Sequence, residues 1–127
     1  DIIADLHPYI DSFHNWIAAS EYLVVESELP VYSRFYKYGG TIDLVLQNPA
    51  VGLVLCDIKT GQVYPEHYLQ LAAYAQAYEE TTGNRVHSTI ILQIRPEATV
   101  HESIVDWHSL IAPYIAAKVL YDWQRSK

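Results

Sequence analysis

The chain has 127 residues, half of them hydrophobic and 18% charged, which suits one globular domain with a single core and leaves no room for two. No stretch approaches the roughly 18 to 20 unbroken apolar residues of a membrane span, and the N-terminus lacks the basic-then-apolar layout of a signal peptide; a soluble intracellular protein is expected. The net charge of -7 is opposite to the basic footprint of a protein held on DNA mainly by phosphate contacts, although clustered carboxylates that bind a divalent cation would reverse the local field. The single cysteine, Cys56, lies in the apolar run Val51–Cys56, which excludes an internal disulfide and marks a buried small hydrophobe rather than a nucleophile. A chain without methionine that begins at Asp1 is expected to lack an upstream segment.

From Pro8 to Ala19 the residues Ile10, Phe13, Trp16 and Ile17 recur at helical spacing, with Pro8 suited to a first turn. Tyr22–Tyr32 is rich in β-branched and aromatic residues but interrupted by Glu26, Glu28 and Pro30, the pattern of an edge strand. Gly39-Gly40 punctuates the chain. Thr41–Gln47 and Leu53–Lys59 then read as an antiparallel hairpin around Asn48–Gly52, the second strand apolar on both faces and therefore central. Pro65 opens a helix to about Glu80 that turns Leu69, Ala72, Ala73 and Ala77 inward, and Thr81–Asn84 stops it. Val86–Ile94 is a further strand. A long apolar-periodic helix is expected from about Glu102 to Trp123, with Pro113 as a possible break. The order is αβββαβα: one α/β domain over 1–127, with a mixed sheet of about four strands flanked by helices.

In Cys56-Asp57-Ile58-Lys59, alternation puts Asp57 and Lys59 on one face of the strand. If Gln47 lies opposite Leu53, Asp43 falls opposite Asp57, with Cβ atoms about 4.5 to 5.5 Å apart. Two facing carboxylates repel unless a cation lies between them, and oxygen ligands of this kind favour Mg²⁺ or Mn²⁺. Lys59 would then act on the attacking water and on phosphate charge. The same residues also fit an exposed Asp57–Lys59 pair with a merely solvated Asp43, and a one-residue slip would send Asp43 to the other face.

The segments Gly40-Thr41-Ile42-Asp43, Asp57-Ile58-Lys59-Thr60-Gly61 and Gln70-Leu71-Ala72-Ala73-Tyr74 resemble, in order, the G-x-x-D, D-x-K-T-G and Q-x-x-x-Y motifs of the RecB-like, phage-type exonuclease branch of the PD-(D/E)XK nuclease superfamily. The resemblance runs from about Tyr22 to Ile94 and implies a restriction-endonuclease-like core. It also implies a metal-dependent deoxyribonuclease in the cytoplasm of a bacterium or phage-infected cell, acting on DNA, including single-stranded ends, beside a helicase or recombination partner. Residue by residue, it makes Asp43 and Asp57 metal-binding carboxylates, the Ile58 carbonyl a further ligand and Lys59 the catalytic lysine. Glu28 matches the acidic residue of the first core strand, with Glu26 as rival, while Gln70 and Tyr74 position substrate. A catalytically inactive nuclease-like module that binds nucleic acid or a partner protein is the alternative.

Many relatives of this kind carry an upstream histidine ligand, yet His7 and His14 sit in no recognisable version of that motif. His67, His87, His101 and His108 lack structural zinc spacing, and no phosphate loop for ATP is present. His67 lies in the first turn of the Gln/Tyr helix, where it either flanks the site or faces solvent. Among eleven tyrosines, Tyr32, Tyr36, Tyr38 and Tyr64 are expected around the cleft, either stacking on unpaired bases or as core or rim residues, with Arg34 and Lys37 beside Tyr36 as candidate phosphate contacts.

Overall fold

The computed structural model describes the backbone of residues 2–126 and the side chains of residues 5–126. Helix α1 (Ile2–Ala19) is followed by strands β1 (Leu23–Ser33), β2 (Tyr38–Asn48) and β3 (Gly52–Lys59), and then by helix α2 (Pro65–Thr82) and strand β4 (Val86–Ile94). Strand β5 (Thr99–Ile104), a 3-10 turn (Trp107–Leu110) and helix α3 (Ile111–Arg125) complete the fold. The sheet order is β1-β2-β3-β4-β5, antiparallel except for β3 and β4, which run parallel because α2 returns the chain between them.

The expected order holds through β4, and β1 is an edge strand as its composition suggested. Beyond β4 the helix expected from about Glu102 to Trp123 is present only from Ile111 onward. Thr99, Val100 and Ile104 are β-branched, and Thr99–Ile104 pairs residue for residue with Ile94–Thr89, so the free edge of β4 takes a fifth strand that includes Glu102–Ile104, the first residues of the expected helix. Trp107 is fully buried and its Nε1 donates to the Val86 carbonyl (3.0 Å), which pins the 3-10 turn; α3 starts only at Ile111, with Pro113 in its first turn, where a missing N–H costs nothing. Pro8 likewise lies inside α1 rather than at its start, and Gly39-Gly40 lies within β2, paired with Tyr32 and Val31.

Two apolar layers sandwich the sheet. Val45, Leu55 and Ile91 pack with Leu71, Ala72, Ala73, Ala75 and Ala77 of α2, while Leu44, Leu46, Val54, Cys56, Ile90 and Leu92 face Phe13, Trp16 and Ile17 of α1. Cys56 is a wholly buried member of the second layer, and burial pushes its thiol pKa up, which suits packing and not catalysis. The inward face of α2 uses Leu71, whereas Leu69 is only half-buried. Gly83, in the left-handed conformation at φ 74°, ends α2 and donates its N–H to the Glu79 carbonyl, as the stop signal implied.

Alanines at the helix–sheet interface let α2 approach closely, so that Tyr38 Oη donates to the Ala73 carbonyl at 2.6 Å and the Tyr74 ring lies over Gly40. A Cβ built on Gly40 would overlap that ring. Gly40→Ala is therefore expected to cost about 1–3 kcal/mol through overpacking. The cost should vanish in a Tyr74→Ala background. Urea denaturation of the double-mutant cycle checks this, and equal costs in both backgrounds would show that the ring is not what Gly40 accommodates.

Candidate active site

The β2–β3 register places Gln47 opposite Leu53, as expected, but the ladder stops at Leu44 opposite Cys56. One step further, where Asp43 and Asp57 would pair, the strands no longer bond as a ladder. Instead Asp43 Oδ2 accepts the backbone N–H of Ile58 at 2.8 Å, so a side chain takes the donor that β2 has left. Alternation along β2 also slips here, because Ile42 and Val45 both join the α2 layer while Leu44 and Leu46 join the other. On the neighbouring strand, Ser27 pairs Leu44 and Leu29 pairs Ile42, bracketing Glu28 at the same level as Asp43. Glu28 has φ 53°, left-handed and strained for a residue with a side chain. Glu26, the rival, pairs with Val45 two positions away.

On β3, Leu55 packs toward α2, so Asp57 and Lys59 share that face, while Ile58 packs toward α1. Lys59 Nζ lies 3.0 Å from Asp57 Oδ2, with the carboxylate about four-fifths shielded from solvent (19% exposed). The Asp57 pKa is pushed up to about 6, first by burial, then by a carboxyl–carboxyl hydrogen bond with Asp43 that only the protonated form can make, against the lowering effect of Lys59. Asp43, Asp57 and Lys59 are therefore brought together. Residue i in a strand directs its N–H and C=O to the same edge, so the Ile58 carbonyl also faces the side where β2 has separated.

Tyr74 stands over Gly40, and its phenol pKa is raised by burial first, then by Tyr114 and by the charges of Asp57 and Asp43, so it lies within electrostatic reach of both carboxylates. Gln70 is exposed one helical turn earlier. His7 and His14 are exposed on α1, the helix that covers the opposite face of the sheet from Asp57. His67 serves the start of α2, its Nδ1 accepting the Tyr64 N–H at 3.0 Å. The tyrosines do not form one platform: Tyr38 is buried in the core, Tyr64 is at the N-cap of α2 and Tyr32 is exposed on β1. Arg34 and Lys37 sit in the β1–β2 turn, which Glu80 fastens through Ser33 Oγ (2.7 Å) and the Phe35 N–H (3.3 Å).

Gln93 was missed by sequence reasoning. It pairs with Lys59 on β4, and its Nε2 donates to the Gly61 carbonyl at 2.9 Å. The available signal was a lone glutamine in the otherwise apolar run Ile90–Ile94.

The donor set consists of hard oxygens: two carboxylates close enough to share a proton, with a backbone carbonyl beside them. That chemistry fits a divalent cation that keeps several waters. Among the described residues, no group of three or more His, Cys, Asp or Glu gathers in metal-holding geometry, so Glu28 does not complete such a set here.

The fold is a mixed sheet between helices, and two aspartates and a lysine meet where its central hairpin opens. The model of the PD-(D/E)XK nuclease superfamily matches residues 6–124, and the chain belongs to that superfamily. Among solved structures, the one titled "Crystal structure of SSO0001" is similar over 94% of this chain at 16% identity, with a TM-score of 0.53. This chain spans 59% of that one, and at this identity the likeness concerns the fold alone. A comparison with curated protein sequences finds no significant match.

Because the folded Asp57 pKa lies above the roughly 3.9 of an unfolded aspartate, the native state binds the extra proton between those values. Stability from this group is therefore present below about pH 4 and lost as pH rises through about 6. In chelator, Asp57→Asn should be as stable as the original at neutral pH or more so, and its melting temperature should fall less between pH 4 and 7. Thermal melts across that range check it; marked destabilisation of Asp57→Asn at neutral pH would make Asp57 a structural ion-pair residue.

Proposed function

We propose that this domain is a metal-dependent deoxyribonuclease that hydrolyses DNA phosphodiester bonds, of the RecB-like exonuclease kind. The observation that supports this best is the opening of the β2–β3 ladder at Asp43, which sets two carboxylates and Lys59 on one face in a chain of this superfamily. Asp43, Asp57 and the Ile58 carbonyl would hold Mg²⁺ or Mn²⁺, which when bound supplies Lewis acidity toward phosphate and lowers the pKa of water.

The remaining work falls to the chain. Lys59, oriented by Asp57, presents N–H donors from Nζ to the attacking water and to phosphate oxygen as charge develops there. Glu28, held in a strained conformation at the level of Asp43, orients water on the β1 side. Tyr74 and Gln70 project from one side of α2 and position the DNA backbone. The RecB-like assignment rests on the order of the three motifs, and exonuclease action on that likeness.

A binding module without catalysis is the second reading, favoured by the absence of a third gathered acid among the described residues. Cleavage and metal-dependent melting separate the two. In Mn²⁺ the original should degrade linear DNA and leave closed circles intact, and equal cleavage of both would replace exonuclease with endonuclease. Lys59→Ala should lower cleavage by about 10²–10³-fold or more while keeping the rise in melting temperature that Mn²⁺ provides. Gln70→Ala and Tyr74→Phe should lose less than Asp57→Asn. An original protein that neither cleaves nor melts higher in Mn²⁺ belongs to the second reading.

A further inference from the structure

We propose that Gln93 is a positioning residue of this site, which acts by fixing the bend that follows Lys59; the inference rests on the nuclease reading above. Gln93 is the β4 partner of Lys59 in the parallel ladder, and Ile91, two residues earlier, is the partner of Asp57. Paired residues project to one face, so Gln93 lies beside the lysine on the side that carries the carboxylates.

The chain leaves β3 directly after Lys59 through Thr60, Gly61 and Gln62, all exposed. No backbone–backbone hydrogen bond ties Thr60–Val63 among the described residues, and a Cβ built on Gly61 would meet no atom within 4 Å, so packing does not brace the bend there. Val63 packs against the core at the far end of the segment. At the near end the hold is the 2.9 Å bond from Gln93 Nε2 to the Gly61 carbonyl, formed across 32 residues of sequence.

Without that donor the bend keeps only the packing of Val63 and the hydrogen bond from Tyr64 Oη to Gln62 Oε1 (3.3 Å), both on its far side, so its near side gains freedom and the end of β3 moves with it. Lys59 is the last residue of the strand, so its backbone takes up that motion, whereas Asp57, two residues inside the ladder, does not. The chemistry therefore separates: aim of the ammonium depends on Gln93, and the carboxylate pair does not. An error of this kind in the placement of a reacting group lowers turnover more than binding.

Gln93→Met keeps length and volume and removes the donor. With a labelled DNA oligomer in Mn²⁺, kcat is expected to fall about ten-fold with KM within about two-fold, while the Mn²⁺-dependent rise in melting temperature stays at the original value. Amide hydrogen exchange across Thr60–Val63 should quicken in Gln93→Met. Gln93→Lys, which restores a donor of similar reach, should return exchange and kcat toward the original. Unchanged exchange in Gln93→Met overturns the tether, and quickened exchange with unchanged kcat overturns its role in positioning. A loss of Mn²⁺ stabilisation in step with kcat overturns the separation of Lys59 from the carboxylates. If the original chain itself does not cleave DNA, the nuclease reading falls and the positioning role with it, and exchange alone then reports whether Gln93 holds the bend.

Discussion

The hydrogen bond from the Ile58 N–H to Asp43 Oδ2 is the contact on which the geometry of this site depends. A central strand that loses its neighbour leaves backbone donors and acceptors without ladder partners, and a buried N–H left that way costs on the order of 1–3 kcal/mol. Asp43 meets that requirement with a charged acceptor, so β2 can part from β3 after Leu44 without an orphaned donor at Ile58. The parting sets the remaining polar groups. It brings the Asp43 carboxylate against Asp57 and leaves the Ile58 carbonyl directed at the gap. The slipped alternation at Asp43 and the left-handed Glu28 beside it are the conformational cost of bending two adjacent strands at one level.

Helix α2 is the other half of the arrangement. Four buried alanines, at 72, 73, 75 and 77, remove side-chain bulk from the interface and lower the helix onto the sheet. A helix carried that close brings Tyr74 down onto β2, and only a glycine at position 40 leaves space for the ring. Gly40 and Tyr74 thus belong to one contact although 34 residues separate them. The first and third motifs meet through packing, while the first and second meet through the Asp43–Ile58 hydrogen bond. Three short motifs scattered along the chain become one surface by two different forces.

Much of this was legible because local patterns and tertiary structure agree through the middle of the chain. The alternation of Cys56-Asp57-Ile58-Lys59 placed acid and lysine on one face, and turn residues at Asn48–Gly52 set the Gln47–Leu53 register. What failed did so where a distant partner decides. Thr99–Ile104 has too few residues to declare itself a strand, and it becomes one because β4 offers a free edge. Trp107 looked like part of a helical stripe, yet the hydrogen bond of its indole to Val86 holds it in a 3-10 turn. The exact pairing of Asp43 with Asp57 was extrapolated from a register that ends one step short, since periodicity carries no information about where a ladder opens. Gln93 was invisible for the same reason: its partner, Gly61, lies 32 residues away in a bend.

The acidic balance of the chain fits the proposed chemistry once charges are sorted by place. Fifteen acidic residues against eight basic ones leave little counterion release to hold DNA, so a substrate would be drawn chiefly by whatever cation the carboxylates retain. Asp57, with a pKa pushed up to about 6, shows how far the fold has gone toward making that pair unfavourable alone. Burial and the neighbouring carboxylate both raise it, and Lys59 offsets only part. A fold under selection for stability alone gains nothing from a shielded carboxylate pair beside an opened ladder and a strained glutamate. The same features are coherent as a preformed seat for a divalent cation, because the ion relieves the repulsion that the metal-free fold must carry. Glu28 carries the backbone strain and Asp57 the raised pKa, and Asp43 lies between them, level with Glu28 on β1 and bonded to the Ile58 N–H on β3. Strain at Glu28 and a raised carboxylate pKa at Asp57, found beside an opened ladder, are the features that favour the proposed site over an incidental surface pair.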